Sequence, residues 1–230
     1  MRPVKPVFVH GWGFGPGFWA LVVDALGWTD ALVLDLGFLE GSGPASPMLA
    51  AQHLQAVQGP GETLLGIGHS LGFLWLAEHM ALSPTDRLVG INAFAAFAAR
   101  ESFASGVPAR ILQRMFKGLS NTPEKVLADF YNLCGAPASG MVPCVPHLRE
   151  GLDLLLAGDA RPALAARAGQ YGILAARQDP VATPAMTEQS FAGCAAVQWV
   201  DGGHLLPQTD VSACATFLQA ARRTMEQDVQ

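Results

Sequence analysis

Apolar residues along this chain keep two different rhythms. Short, nearly continuous runs rich in Val, Ile and Leu fall at 6–9, 31–35, 63–68, 87–92, 170–176 and 195–200. Apolar runs of this length without polar alternation predict strands buried on both faces. Between them, segments with apolar residues three and four apart predict helices over 16–26, 47–58, 70–82, 184–191 and 206–225. Strand and helix in alternation predict an α/β fold: a mostly parallel sheet of about six strands with helices on both faces.

One interval breaks the rhythm. Residues 93–168 hold no strand-like run and are far longer than a crossover needs, so they predict a helical insertion within a single domain spanning 1–230. Helices are expected over 108–118 and 145–157. Another should open at Asn121-Thr122-Pro123-Glu124, where a polar N-cap precedes Pro at the first helical position and an acid favoured by the helix dipole. An insertion after the C-terminal end of a strand would cover the edge at which open α/β sheets bind ligands, which is the place for a lid. No internal repeat, low-complexity tract or flexible linker interrupts the chain.

Composition narrows the function classes. Half of the 230 residues are hydrophobic, enough for a sizeable core, while 14% are charged and the net charge is −5. A nucleic-acid partner, which calls for a basic face or tract, is not expected. The apolar run near the N-terminus is too short for a signal peptide, and the stretch 71–82 is interrupted by Glu78 and His79 well short of a bilayer span. No export and no membrane partner are expected, and a cytoplasmic setting is. Cys134, Cys144, Cys194 and Cys214 lack metal-ligand spacing and call for no disulfide framework; each is expected to be a small buried hydrophobe. Neither a metal nor another cofactor is expected.

The candidate chemistry centres on Gly68-His69-Ser70-Leu71-Gly72, a G-x-S-x-G set between an expected strand and an expected helix. The glycines permit a tight, strained turn that lifts the Ser70 hydroxyl out of the sheet, at a helix N-terminus that favours developing negative charge. A serine nucleophile needs a base, and the base needs an acid to orient it. His204, in a glycine-rich loop before the last helix, is the expected base. Asp179, after the strand at 170–176, is the expected acid; Asp201, three residues from His204, is the alternative. Two backbone donors should hold the oxyanion of a tetrahedral intermediate, namely the N–H of Leu71 and that of Trp12 in His10-Gly11-Trp12-Gly13. Trp12 is read either as shaping the acyl pocket or as packing. His10 and His69 are expected to make buttressing hydrogen bonds, and His53, His79 and His147 to lie on the surface.

These elements together resemble the α/β-hydrolase superfamily over nearly the whole chain: His10-Gly11-Trp12-Gly13-Phe14 with Phe18-Trp19, Asp35-Leu36-Gly37-Phe38, Gly68-His69-Ser70-Leu71-Gly72, Asp179 and Gly203-His204. The His-Gly-Trp-Gly opening, the passage from Leu152-Asp153-Leu154 to Asp159-Ala160-Arg161 and the His204-Leu205-Leu206-Pro207 ending resemble the BioH family, the pimeloyl-carrier-protein methyl ester esterases of biotin synthesis. His69 stands where that family often has Trp, and Phe73 where a second Gly is common. The resemblance implies a sheet without the usual first two strands. It also implies a serine carboxylesterase that frees the distal carboxylate of a pimeloyl chain held on acyl carrier protein, with Ser70, Asp179 and His204 as triad. The alternative is a general short-chain carboxylesterase or lactonase acting on small acyl substrates. Arg110, Arg114 and Lys117 fall at i, i+4 and i+7 of one expected helix. Their basic face is read either as a dock for an acidic carrier protein or as a solvated surface. Phe103, Met115, Phe116, Phe130 and Tyr131 are read as lining an acyl tunnel or as packing the insertion onto the core.

Overall fold

The computed structural model describes residues 4–228, apart from 42, 60, 138, 139 and 194–196. Six strands form one sheet in the order β2-β1-β3-β4-β5-β6, and every neighbouring pair is parallel. They are β1 (Val4–Val9), β2 (Leu32–Leu34), β3 (Thr63–His69), β4 (Arg87–Ile91), β5 (Tyr171–Ala176) and β6 (Val197–Val200). The sheet is therefore the expected one. All of β3 is buried, whereas β2 and β6 at the edges are half-buried, as one covered side and one open side dictate. Residues 195 and 196 of the expected last strand lie outside the described residues.

Ten helices accompany the sheet among the described residues: α1 (Ala20–Leu26), α2 (Pro47–Val57), α3 (Leu71–His79), α4 (Ala109–Leu119), α5 (Pro123–Cys134), α6 (Val145–Ala157), α7 (Arg161–Ala165), α8 (Pro184–Ser190), α9 (Leu206–Thr209) and α10 (Val211–Asp228). Three expected helices are adjusted. The one over 16–26 begins as a 3-10 turn at Pro16–Trp19. That over 70–82 stops at His79, because Pro84 bars the helix from continuing and the buried Asp86 carboxylate takes up the Ser83 and Leu64 N–H groups instead. That over 206–225 is two helices, broken where the Asp210 carboxylate accepts the Ala213 N–H and caps a new start. The expected N-cap of α5 is Thr122, but its side chain makes no capping bond.

The chain leaves β1 for β2 on one side and returns to β3 on the other, so β1 and β3 flank the point at which strand order reverses. Such a crevice, at the C-terminal strand ends, is where open α/β sheets take their ligands. Residues 93–168, between β4 and β5, carry α4, α5, α6 and α7. The two ends of this segment are tied together: Ala160 N–H donates to Ala95 O at 2.8 Å, and Asp159 pairs with both Arg100 and Arg161. No described helix is long and apolar enough to cross a membrane.

Candidate active site

Ser70 stands between β3 and α3 with φ 54° and ψ −122°, a backbone conformation that few non-glycine residues adopt. Close packing on both sides enforces it. A Cβ on Gly68 would lie 2.2 Å from Phe73 N, and one on Gly72 would lie 2.3 Å from Val9 O, so α3 can start immediately behind the serine only with glycine at both places. Ser70 itself is 4% exposed and opens onto an apolar cavity.

The expected acid and base meet. His204 Nδ1 lies 2.8 Å from Asp179 Oδ2, and both side chains are wholly buried. Asp179 Oδ1 accepts the N–H groups of Val181 and Ala182 at 2.7 and 2.9 Å, so the turn after β5 solvates the carboxylate from one side while the imidazole occupies the other. With Nδ1–H donating to Asp179, His204 Nε2 is left as an acceptor, buried and without a hydrogen-bond partner among the described residues. Asp201 is elsewhere: it is exposed and faces the Gln178 amide at 3.4 Å.

The two expected backbone donors lie on opposite sides of the crevice between β1 and β3. Leu71 opens α3, so its N–H belongs to the first turn, whose donors have no partner within the helix. Trp12 follows β1, is 2% exposed, and is pinned by its indole N–H donating to Leu148 O of α6 at 2.9 Å. His10 braces the same loop: its ring nitrogens contact Gly11 O at 3.0 Å and Leu36 N at 3.1 Å, with Asp35 Oδ1 at 3.3 Å. Burial pushes the Asp35 carboxyl up, but the bonds to His10 and the Gly37 N–H outweigh it and hold the group below its usual range.

His69, next to the nucleophile, is buried with one ring nitrogen, Nε2, 2.8 Å from the carbonyl of His204. Burial, and then the neighbouring His204, push its pKa well below the ordinary histidine value, so the ring is neutral and Nε2–H donates. Asn92, just after β4, was not singled out by sequence reasoning. Its amide donates to Gly203 O and accepts from Ala176 N, both at 2.8 Å, and its φ of 48° is left-handed. The available signal was a polar residue closing an apolar strand, of the type that tolerates that backbone conformation.

The cavity at Ser70 has a volume of about 100 Å³ and carries no charged lining group. Trp12 and Phe130 line it, their rings 5.0 Å apart and edge to face. Met115 lines it too, with Phe94 and Phe97 from the strand end and Pro180 and Val181 from the acid's own turn. Three expected lining residues are elsewhere. Phe103 is fully buried beneath the Arg161 guanidinium, at 4.8 Å from it. Phe116 packs under Arg149, and the Tyr131 hydroxyl donates to Gly13 O. Helical spacing placed Phe116 and Tyr131 on α4 and α5 but did not settle which way the faces turned, and Phe103 precedes α4. Arg110, Arg114 and Lys117 are exposed on α4, opposite its buried Leu112 and Leu119.

His53 and His79 are exposed, but His147 is half-buried because its Nδ1 bonds Gly37 O at 2.9 Å. Cys134 and Cys214 are buried free thiols, each pushed up to about 12 chiefly by burial, and in Cys134 also by the charge of Asp179. Cys144 is half-buried, with Sγ 3.2 Å from His147 Nδ1; Cys194 lies outside the described residues. No cluster of metal-ligating side chains occurs among the described residues.

Comparison with known proteins bears on the family and the fold. Residues 7–217 match the model of the alpha/beta hydrolase family. The pimeloyl-[acyl-carrier protein] methyl ester esterase of Salmonella heidelberg is 29% identical over 178 residues, covering 69% of each chain. An esterase from Exiguobacterium antarcticum superposes with a TM-score of 0.81 at 13% identity, over 96% of this chain and 92% of that one. An enol-lactonase from Burkholderia xenovorans LB400 superposes at 0.71 and 14% identity, over 97% and 92%. At these identities the two solved structures speak to the fold alone.

Proposed function

The chain belongs to the alpha/beta hydrolase family, and on that premise we propose that it is a serine esterase that hydrolyses small, apolar acyl esters through Ser70, His204 and Asp179. The observation that carries this reading is the buried Asp179–His204 pair, whose Nε2 has no hydrogen-bond partner among the described residues, beside the strained turn at Ser70. In the proposed reaction His204 Nε2 takes the Ser70 proton as Oγ attacks the acyl carbon. Asp179 holds the imidazole in the required tautomer and stabilises the imidazolium. The N–H groups of Leu71 and Trp12 meet the oxyanion as it forms, an interaction absent from the planar ester and therefore one that lowers the barrier. The imidazolium then protonates the departing alcohol, and water repeats the cycle on the acyl-enzyme.

Cavity size supports a short acyl group. At about 100 Å³ it is smaller than the ~150 Å³ hole that admits one benzene molecule. The uncharged lining disfavours an acyl chain ending in a free carboxylate.

A second reading has a specific observation behind it. The exposed row Arg110, Arg114 and Lys117, together with the similarity to the Salmonella esterase, supports a carrier-bound substrate, a pimeloyl methyl ester on acidic acyl carrier protein, with residues 93–168 as its lid. One experiment separates the readings: turnover of p-nitrophenyl acetate and of the carrier-linked methyl ester, with a fluorophosphonate probe reporting on Ser70. Turnover of the small ester alone supports the first. Faster turnover of the carrier-linked ester, slowed by reversing the three charges while the small ester is unaffected, supports the second. Failure of the probe to label Ser70 in folded protein refutes both.

A further inference from the structure

The loop that carries His204 is built from Asp201-Gly202-Gly203, with Gly202 at φ 136°, so its own sequence does little to hold the ring. Among the described residues, the only side-chain hydrogen bond of the imidazole is the one to Asp179. Two buried side chains from elsewhere grip the backbone. The His69 ring, at the end of β3, reaches the His204 carbonyl, and the Asn92 amide, just after β4, donates to the Gly203 carbonyl, each at 2.8 Å.

We propose that His69 and Asn92 are positioning residues, a two-point clamp on the consecutive carbonyls of Gly203 and His204 that holds the base in register with the nucleophile and the acid. The proposal rests on the esterase reading above. His69 precedes Ser70 in the chain, so the strand that presents the hydroxyl also holds the base that must take its proton. Asn92 accepts the Ala176 N–H with its other amide atom, three residues before Asp179, so one side chain fixes the acid's strand and the base's loop to each other. The left-handed backbone at Asn92 is maintained by its N–H donating to Leu174 O at 2.9 Å.

His69 is itself immobilised. Its ring packs 4.4 Å from Phe18 and 4.6 Å from His204, centroid to centroid, and a Cβ on Gly11 would lie 2.7 Å from its Nδ1. A ring in this place has to remain neutral, because His204 becomes cationic in the transition state and a second charge beside it would oppose proton transfer. Its burial keeps it so.

Three variants test the clamp. His69→Phe keeps an aromatic ring and removes the donor; His69→Gln restores a donor; Asn92→Gly removes the amide but retains a residue at ease with positive φ. With p-nitrophenyl acetate, His69→Phe and Asn92→Gly are expected to lower kcat by about 10- to 100-fold at nearly unchanged KM, the scale of a small misplacement of a reacting group. His69→Gln should recover part of the loss. The double variant should lose less than the product of the two effects, since both act on one loop. Ser70 labelling by the fluorophosphonate should slow in parallel, and the low-field proton resonance of the His204–Asp179 bond should broaden. A folded His69→Phe or Asn92→Gly variant with wild-type kcat and an unchanged resonance would overturn the clamp, as would a loss confined to KM. Should neither variant fold, nitrogen-15 histidine spectra of the wild-type protein decide: a neutral His69 with its proton on Nε2 supports the clamp, and any other state at neutral pH overturns it. Absence of labelling in the wild-type protein would instead overturn the esterase reading, and the clamp with it.

Discussion

Gly72→Ala should separate the two halves of the proposed oxyanion site without touching a side chain of the triad. Gly72 is the second residue of α3 and faces the end of β1, where an added Cβ would lie 2.3 Å from Val9 O and 2.6 Å from His10 O. Both neighbours are backbone atoms, so no rotamer change relieves the overlap. Reaching ordinary contact requires the start of α3 and the end of β1 to part by roughly 1 Å. Those are the elements that carry the N–H groups of Leu71 and Trp12. An oxyanion must lie about 2.7–3.1 Å from each donor, so an opening of this size leaves it bonded to one only. Loss of one donor costs on the order of 100- to 1,000-fold in kcat, about 2.7–4 kcal/mol of transition-state stabilisation. Overpacking should also lower stability by about 1–3 kcal/mol, so kcat is read under conditions where circular dichroism reports native protein. Gly172→Ala, whose Cβ would meet only Phe217 at an ordinary 3.4 Å, serves as control and should retain its kcat. A folded Gly72→Ala enzyme with wild-type kcat and KM would refute the assignment of Leu71 and Trp12 to the oxyanion.

Other expectations follow from the same geometry. Asp179→Asn should lower kcat by about 10,000-fold, because the amide favours the wrong His204 tautomer, whereas Asp201→Asn should be near normal; the reverse order, in p-nitrophenyl ester assays, would transfer the role. Met115→Ala should move the optimum of a p-nitrophenyl ester series to longer chains, since Met115 borders both the catalytic cavity and the groove between α4 and α5; an unchanged optimum would mean the groove takes no acyl chain. Stability should fall with pH below 6.5, where the unfolded chain protonates His69 and the native chain, its pKa well below that value, does not. The slope attributable to this one group approaches about 1.4 kcal/mol per pH unit, and His69→Phe should remove it in urea titrations across that window; an identical slope in the variant would contradict a neutral buried His69.

The sheet was legible because its strands are buried on both faces and so read as uninterrupted apolar runs, from 63–68 most plainly. Element ends were less so: Asp210 breaks one apolar pattern into α9 and α10 by a side-chain cap, which periodicity does not register. Ser70, Asp179 and His204 stood out because each follows a strand and sits among turn-forming residues, in the chain order that this fold prescribes. Asn92 did not, since its amide donates to a carbonyl 111 residues away in sequence, and nothing near it reports that contact. For Phe103, Phe116 and Tyr131 the sequence left lining and packing open, because the contacts that the rings make, with Arg161, Arg149 and the Gly13 loop, are distant in sequence.

The contrast between these two kinds of residue has a structural origin. The proposed catalytic groups stand at the ends of parallel strands of one sheet, whose spacing the sheet fixes and whose loops are tied by buried bonds of 2.7–2.9 Å around Asp179, His204 and Asn92. Moving any one of them disturbs several others, so the chemistry is bound to a local sequence pattern. Part of the cavity wall comes instead from α4 and α5, which touch it through apolar side chains such as Met115 and Phe130. Apolar contacts have no direction, and a single substitution such as Met115→Ala changes the accessible volume while leaving the strand ends as they are. On the proposed reading, reaction type belongs to the sheet edge and acyl preference to the helices above it, and the two should vary independently. If the Met115→Ala variant altered chain-length preference and the rate of Ser70 labelling together, that separation would be wrong, and the helices would belong to the catalytic unit.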